Sequence, residues 1–172
     1  MHNYSVEARS REDLRRLAHI LREHLELDNE IRVPIVELLD ILPEIFGDFS
    51  YEIVEDSQMN IGVHAETNIA TGHIMIRESV YEGACDGNGR DRMTIAHEIG
   101  HYITLCICDF KLQRNFKEDD IKSYNDPEWQ AKCFAGELLI DCRLTSGMSV
   151  DEVATACGVS RAAAAYQLSH VK

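Results

Sequence analysis

Leu14, Leu17, Ala18, Leu21 and Leu25 recur at helical spacing, which predicts an amphipathic helix over about 11–27. "RVPIVELLDILPEIFG" predicts a second helix; Pro34 suits its first turn, and Pro43 breaks or kinks it before Gly47. The pattern then changes. "FSYEIVE", 49–55, is rich in aromatic and β-branched residues and predicts a strand. "IGVHAE" and "GHIMIRES" predict two more, with 67–72 as the turn between them. The glycine-rich "GACDGNGR", 83–90, predicts a loop, followed by a helix over about 91–107. The stretch 109–126 is polar, with "KEDD" at its centre, and predicts a surface loop. Asp126-Pro127 opens another helix, about 127–141. Two short helices close the pattern at about 149–157 and 160–171, with Gly158 at the turn and Ser160 as N-cap. Helices, a small sheet, then more helices indicate an α+β fold. The expected division is a main domain over 1–145 and a helical pair over 146–172 packed on it as one unit.

Composition narrows the class. Of 172 residues, 45% are hydrophobic and 27% charged, which fits a folded globular chain. No apolar run is long enough to cross a bilayer, so no membrane partner is expected. The opening "MHNYSVEARSREDLRR" has no apolar signal-peptide core, which predicts a cytoplasmic protein. The formal net charge of −13 would repel a phosphate backbone, so direct nucleic-acid binding is not expected. Such acidity serves solubility and also suits a basic protein partner. The six cysteines are expected as reduced thiols that pack as small hydrophobes.

The chemistry concentrates in "TIAHEIGHYI". His97 and His101 are four apart, so on a helix their imidazoles share a face and can ligate one tetrahedral zinc ion. Glu98 lies beside them, placed to act on a water rather than on the ion. This is H-E-x-x-H, the metallopeptidase signature. Gly100 weakens a helix interior by about 1 kcal/mol against alanine, so it asks for a reason such as close approach of backbone.

A catalytic zinc needs a third protein ligand. Glu118, Asp119, Asp120, Asp126, Glu128 and Glu137 are the downstream candidates. On a helical wheel Glu128 falls within the apolar stripe Ala131, Ala135, Leu138 and Leu139, while Glu137 falls almost opposite. A carboxylate on an inward face is costly unless paired or ligated, which selects Glu128. Small Ala131 and Ala135 would let this helix approach the histidine helix closely. Glu98 then acts as general base, passing a proton from water to the leaving amine. Tyr102, Tyr124 and His73 are candidate oxyanion donors; His64 and His73 lie in strand-like segments and read rather as ordinary surface or structural residues.

"RMTIAHEIGHYI", 92–103, followed by "PEWQAKCFAGELLI", 127–140, resembles the ImmA/IrrE family of small zinc metallopeptidases. The family pairs arginine and threonine before A-H-E-x-G-H with a later E-x-x-A-x-x-F-A-x-x-L-L, matched here by Glu128, Ala131, Phe134, Ala135, Leu138 and Leu139. The resemblance implies a zincin-like fold, Zn2+ held by His97, His101 and Glu128, and Glu98 as catalytic base. It also implies the stand-alone type, without an N-terminal helix-turn-helix fusion, and regulated cleavage of a transcriptional repressor. Met93 stands where an aromatic is common, and "LLID" replaces the more usual L-L-M-P.

The leading expectation is therefore a zinc-dependent endopeptidase that cuts a helix-turn-helix repressor. The alternative is a zinc-containing binding protein that engages a repressor or DNA without proteolysis. The tail "VDEVATACGVSRAAAAYQL" has the turn of a helix-turn-helix, but its few basic residues suit packing better than base readout. "GHIMIRE" is expected as the sheet edge along which an extended substrate pairs.

Overall fold

The computed structural model describes residues 4–107, 113–114 and 123–170. Its elements, in chain order, are β1 (Tyr4–Ser5), α1 (Arg11–His24), α2 (Ile35–Ile45), β2 (Ser50–Val54), β3 (Ala65–Asn68) and β4 (His73–Arg77). There follow α3 (Glu78–Cys85), α4 (Gly89–His101), β5 (Gln113–Arg114), α5 (Pro127–Leu139), α6 (Val150–Cys157) and α7 (Arg161–Leu168). The fold is α+β, with a three-stranded mixed sheet in the order β2-β4-β3 and a small antiparallel pair of β1 with β5.

Local signals explain most of these boundaries. Ser10 caps α1 through a reciprocal box with Asp13, which satisfies two otherwise orphan N–H groups. Leu14, Ala18 and Leu21 form its buried face. Pro34 is the N-cap of α2, and Pro43 lies inside that helix, which ends two residues later. Ser149 and Ser160 cap α6 and α7, and Gly158 takes the left-handed conformation between them.

Four sequence expectations need correction. The stretch 83–90 is not all loop, because α3 occupies Glu78–Cys85 and buries Val80 and Ala84. The long helix over 91–107 is α4, which starts at Gly89 and passes after His101 into a π-helical turn, Tyr102–Ile107. β3 begins at Ala65, so Thr67 and Asn68 belong to the strand rather than to the turn. Finally, β4 is the central strand: it pairs parallel with β2 and antiparallel with β3, and buries Ile74 and Ile76. The edge beside the histidine helix is β3. Most of the polar stretch 109–126 lies outside the described residues.

The core is one continuous cluster that takes in α1, α2, the sheet, α4, α5 and the tail pair. Its centre is the crossing of α4 on α5. A Cβ at Gly100 would lie 2.7 Å from the Ala131 carbonyl oxygen, so the helices meet backbone to backbone. This is the close approach that Gly100 anticipated. The other side of α5 is covered too. Glu137, expected to face away from the core, is 1% exposed there and pairs with Arg11 at 3.1 Å and Arg15 at 2.8 Å. A one-sided wheel places it in solvent; α1, packing along that second face, encloses it instead.

Asp141, the aspartate of "LLID", is buried beside Arg22, Arg143 and His19. Burial alone would raise its carboxyl, but the hydrogen bonds from Arg143 hold it below the usual range. Fully buried Arg22 donates to the carbonyls of Leu138, Leu27 and Glu30, fastening the C-terminal end of α5 to the chain that follows α1.

Gly100→Ala tests the crossing. Alanine gains about 1 kcal/mol of helix propensity, but the overlap it forces costs about 1–3 kcal/mol because backbone, not a flexible tip, stands opposite. A net loss near ~1 kcal/mol is expected, read as a lower thermal midpoint. A raised midpoint would show that the crossing relaxes freely.

Candidate metal centre

Two helices build the site. Asn88 caps α4 by accepting from Arg90 and Asp91, which fixes the helix that carries His97, Glu98 and His101. Asp126 caps α5 by accepting the Glu128 N–H, and Pro127 pre-sets its first turn, so Glu128 projects from the start of that helix. The Gly100–Ala131 contact brings the two side-chain sets together.

His97 Nε2 and His101 Nε2 lie 3.1 Å apart. Glu128 Oε2 is 3.2 Å from His97 Nε2, and Glu128 Oε1 is 3.3 Å from His101 Nε2. The two rings meet edge to face at 4.6 Å. Donors around a tetrahedral ion at about 2.0–2.1 Å are themselves roughly 3.3 Å apart, so this triangle fits one ion. A single proton can occupy the space between the two ring nitrogens, whereas a cation would satisfy all three groups at once. The nitrogen and carboxylate donor set suits zinc and other first-row divalent ions.

Glu128 lies in the open. Its side chain is 64% exposed, so burial cost, the ground on which it stood out in sequence, is not what distinguishes it. Hydrogen bonds from His101 and then His97 hold its carboxyl far below the usual range. Glu98, in contrast, is buried. Thr67 on β3 donates to Glu98 Oε2 at 2.7 Å and also reaches the Glu98 carbonyl at 3.2 Å. Oε1 accepts no hydrogen bond among the described residues. The two histidines, Glu98 and Glu128 line one cleft of about 180 Å3, closed on its far side by Ala65, Glu66, Thr67 and Ile69.

The other sequence candidates fall elsewhere. Tyr102 is fully buried and outside the cleft; its hydroxyl is committed to Asp48, to which it donates at 2.6 Å, and burial and that bond push its phenol up. His73 bonds Ser50 on the neighbouring strand, and Tyr124 sits in the short turn before α5. Asp126 serves as a cap and Glu137 as the partner of two arginines, while 118–120 lie outside the described residues. Thr67 is the residue that sequence reasoning missed, since it was placed in a turn. Among the described cysteines, burial raises Cys106 and Cys133 to about 11, so they pack as neutral thiols.

The model of the peptidase family described as the IrrE N-terminal-like domain matches residues 55–169, from β3's approach to the end of α7. The chain belongs to this family. It is a metallopeptidase family, and residues 55–169 contain every residue of the cleft. Among solved structures, a Mycobacterium tuberculosis transcriptional regulator superposes with a TM-score of 0.62 over 92% of this chain, at 15% identity. At that identity the likeness concerns the fold alone. This chain spans 46% of that protein. A search of curated proteins found no match.

The triangle of donors is expected to take one divalent ion per chain. Cobalt(II) added to metal-stripped protein should give visible absorption of low-symmetry, four- or five-coordinate character, saturating at one equivalent. His101→Ala should lose that signal. Unchanged cobalt binding in the variant would place the ion elsewhere.

Proposed function

We propose that this chain is a zinc endopeptidase that makes site-specific cuts in a protein substrate. His97, His101 and Glu128 hold the ion, and Glu98 is the general base. The observation that carries this reading is the convergence of three donors, 3.1–3.3 Å apart, beside a buried carboxylate in a shared cleft. When bound, zinc supplies Lewis acidity toward a water and toward the scissile carbonyl. Thr67 fixes one oxygen of Glu98 and leaves Oε1 to take the proton from the attacking water. Glu98 then returns that proton to the leaving amine.

The substrate lies extended along β3, the edge strand that walls the cleft, and pairs with it through backbone. Backbone pairing reads little sequence, so selectivity comes from docking. A net charge of −13 favours a basic partner, and a DNA-binding repressor is basic. The resemblance of the two motifs, 92–103 and 127–140, to the ImmA/IrrE family supports a helix-turn-helix repressor as substrate and, with it, a cytoplasmic setting.

A second reading is a zinc-containing protein that binds a repressor or DNA without cutting. It rests on α6 and α7, which meet at the left-handed Gly158 as helices of a helix-turn-helix do. Against it, Arg161 is tied to Asp151 at 2.7 Å, and the tail's buried side chains belong to the main core. In our reading the pair is one unit with the rest and braces α4.

Glu98→Gln separates the two readings. It is expected to keep full zinc and the native thermal midpoint yet lose cleavage by roughly 10²–10⁴-fold, because the proton acceptor is gone. Wild-type-like cutting by this variant would move the chemistry off Glu98. For the substrate, a purified helix-turn-helix repressor is expected to be cut at one or a few sites while casein survives. Raising salt from low to physiological strength should slow that cutting, since exposed charge pairs are screened over about 8–10 Å. Indiscriminate digestion of casein would instead indicate a housekeeping peptidase.

A further inference from the structure

A second cleft opens beside the metal centre and shares Ala65, His97 and Glu98 with it. It encloses about 560 Å3 between the approach to β3, the outer face of α4, and residues from α5 and the α7 cap. Val63, Ala65 and Met93 supply its apolar wall. Its charged groups are Arg90 from α4 and Lys132 from α5, with His64 from the loop before β3. Among the described residues one acid lines it, Glu98, at the end shared with the metal centre.

Several cations of this acidic chain are matched by its own carboxylates. Arg11 and Arg15 pair with Glu137, Arg143 with Asp141, and Arg161 with Asp151. Arg90 and Lys132 have no such carboxylate among the described residues. Arg90 instead lies 3.3 Å from His64 Nε2, and the Lys132 ammonium sits over the Tyr166 ring at 5.7 Å. Helix stability does not account for Arg90 either. It stands in the first turn of α4, where the helix dipole disfavours a cation. Two cations of different geometry therefore border a partly apolar cleft that leads directly to the general base.

We infer that this cleft is a specificity subsite for an acidic substrate side chain, aspartate or glutamate, close to the scissile bond. The inference rests on the peptidase reading above and names the local sequence that such an enzyme selects. The Arg90 guanidinium can grip a carboxylate through two N–H groups, and the Lys132 ammonium adds a point charge. Val63 and Met93 accommodate the methylene groups. Glu98, at the inner end, repels the substrate carboxylate and keeps it at the outer, cationic end. The long-range field of the chain attracts a basic partner, while this cleft selects an acidic residue within it.

Binding and cutting are measured separately. The binding probes are two fluorescein-labelled, extended octapeptides, identical but for one central glutamate or glutamine, titrated by anisotropy onto zinc-loaded Glu98→Gln protein. The glutamate peptide is expected to bind roughly tenfold more tightly. Adding Arg90→Glu and Lys132→Glu should abolish or invert that preference. Both side chains are exposed on helix surfaces, and circular dichroism checks the fold; the milder Arg90→Gln and Lys132→Gln variants are read in parallel and should show partial loss. Cutting is mapped by mass spectrometry on a defined synthetic peptide mixture at high concentration of otherwise wild-type enzyme. Aspartate and glutamate should be enriched beside the cut bond, and the double reversal should remove that enrichment. A glutamate preference in binding with no cutting would uphold the subsite and sink the peptidase reading. Cutting with no acidic preference, or a preference that survives the reversal, would overturn the subsite and leave the peptidase reading intact. Absence of both would overturn both.

Discussion

The contact of Gly100 with the backbone of Ala131 sets the geometry of everything around it. Histidines at 97 and 101 are fixed relative to each other by one helix, but Glu128 stands on another, 27 residues after His101 in the chain. Only the separation of α4 and α5 decides whether its carboxylate reaches the two imidazoles. Glycine on one side and alanine on the other allow near-contact of main chains, and the donors then fall 3.1–3.3 Å apart. One methyl group at this crossing would act on the donor triangle as well as on the core.

Much of this was legible in sequence where a helix has one buried face. The period of Leu14, Ala18 and Leu21 gave α1, Gly158 and the Ser160 cap located the turn between α6 and α7, and the H-E-x-x-H spacing placed three polar groups on one helix. What failed did so for identifiable reasons. α3 was hidden because its sequence ends in the glycine-rich run, and only Val80 and Ala84, four apart, mark its inner face. β3 carries no fully buried residue to fix its bounds, so the strand was set too early, over 61–66, and Thr67 was left in the turn. The alternation of β4 shows that one face is buried but not which edges are paired; its central place follows from the parallel partnership with β2, a long-range fact. Glu137 was misplaced because a wheel ranks the faces of one helix and cannot know that α1 covers the second.

The ionic groups divide by depth. Glu137 and Asp141 are enclosed, with part-exposed arginines reaching in to them, and such pairs offset the cost of burying the carboxylate only while complete. They hold α1, α5 and the chain after α5 in register. Around the cleft, Glu98 aside, the charges are exposed and less committed: Glu128 faces solvent, and Arg90 and Lys132 have no carboxylate partner among the described residues. The buried ion pairs thus lie on the side of α5 away from the cleft, and the open groups on the near side remain available to a ligand.

Buried Arg92, in the second turn of α4, donates to the carbonyls of Val33, Cys157 and Gly158. All three acceptors are main chain, and a carbonyl oxygen is the same on every residue. Apart from Gly158, whose left-handed φ and closeness to Arg32 leave no room for a Cβ, this clamp between the histidine helix and the tail is indifferent to the side chains at its far end; it demands a chain path and one arginine. The outward surface of α6 and α7 can be rewritten, residue by residue, without loosening the helix that carries His97 and His101. Whatever the tail meets can thus change at a different pace from the reaction the fold supports.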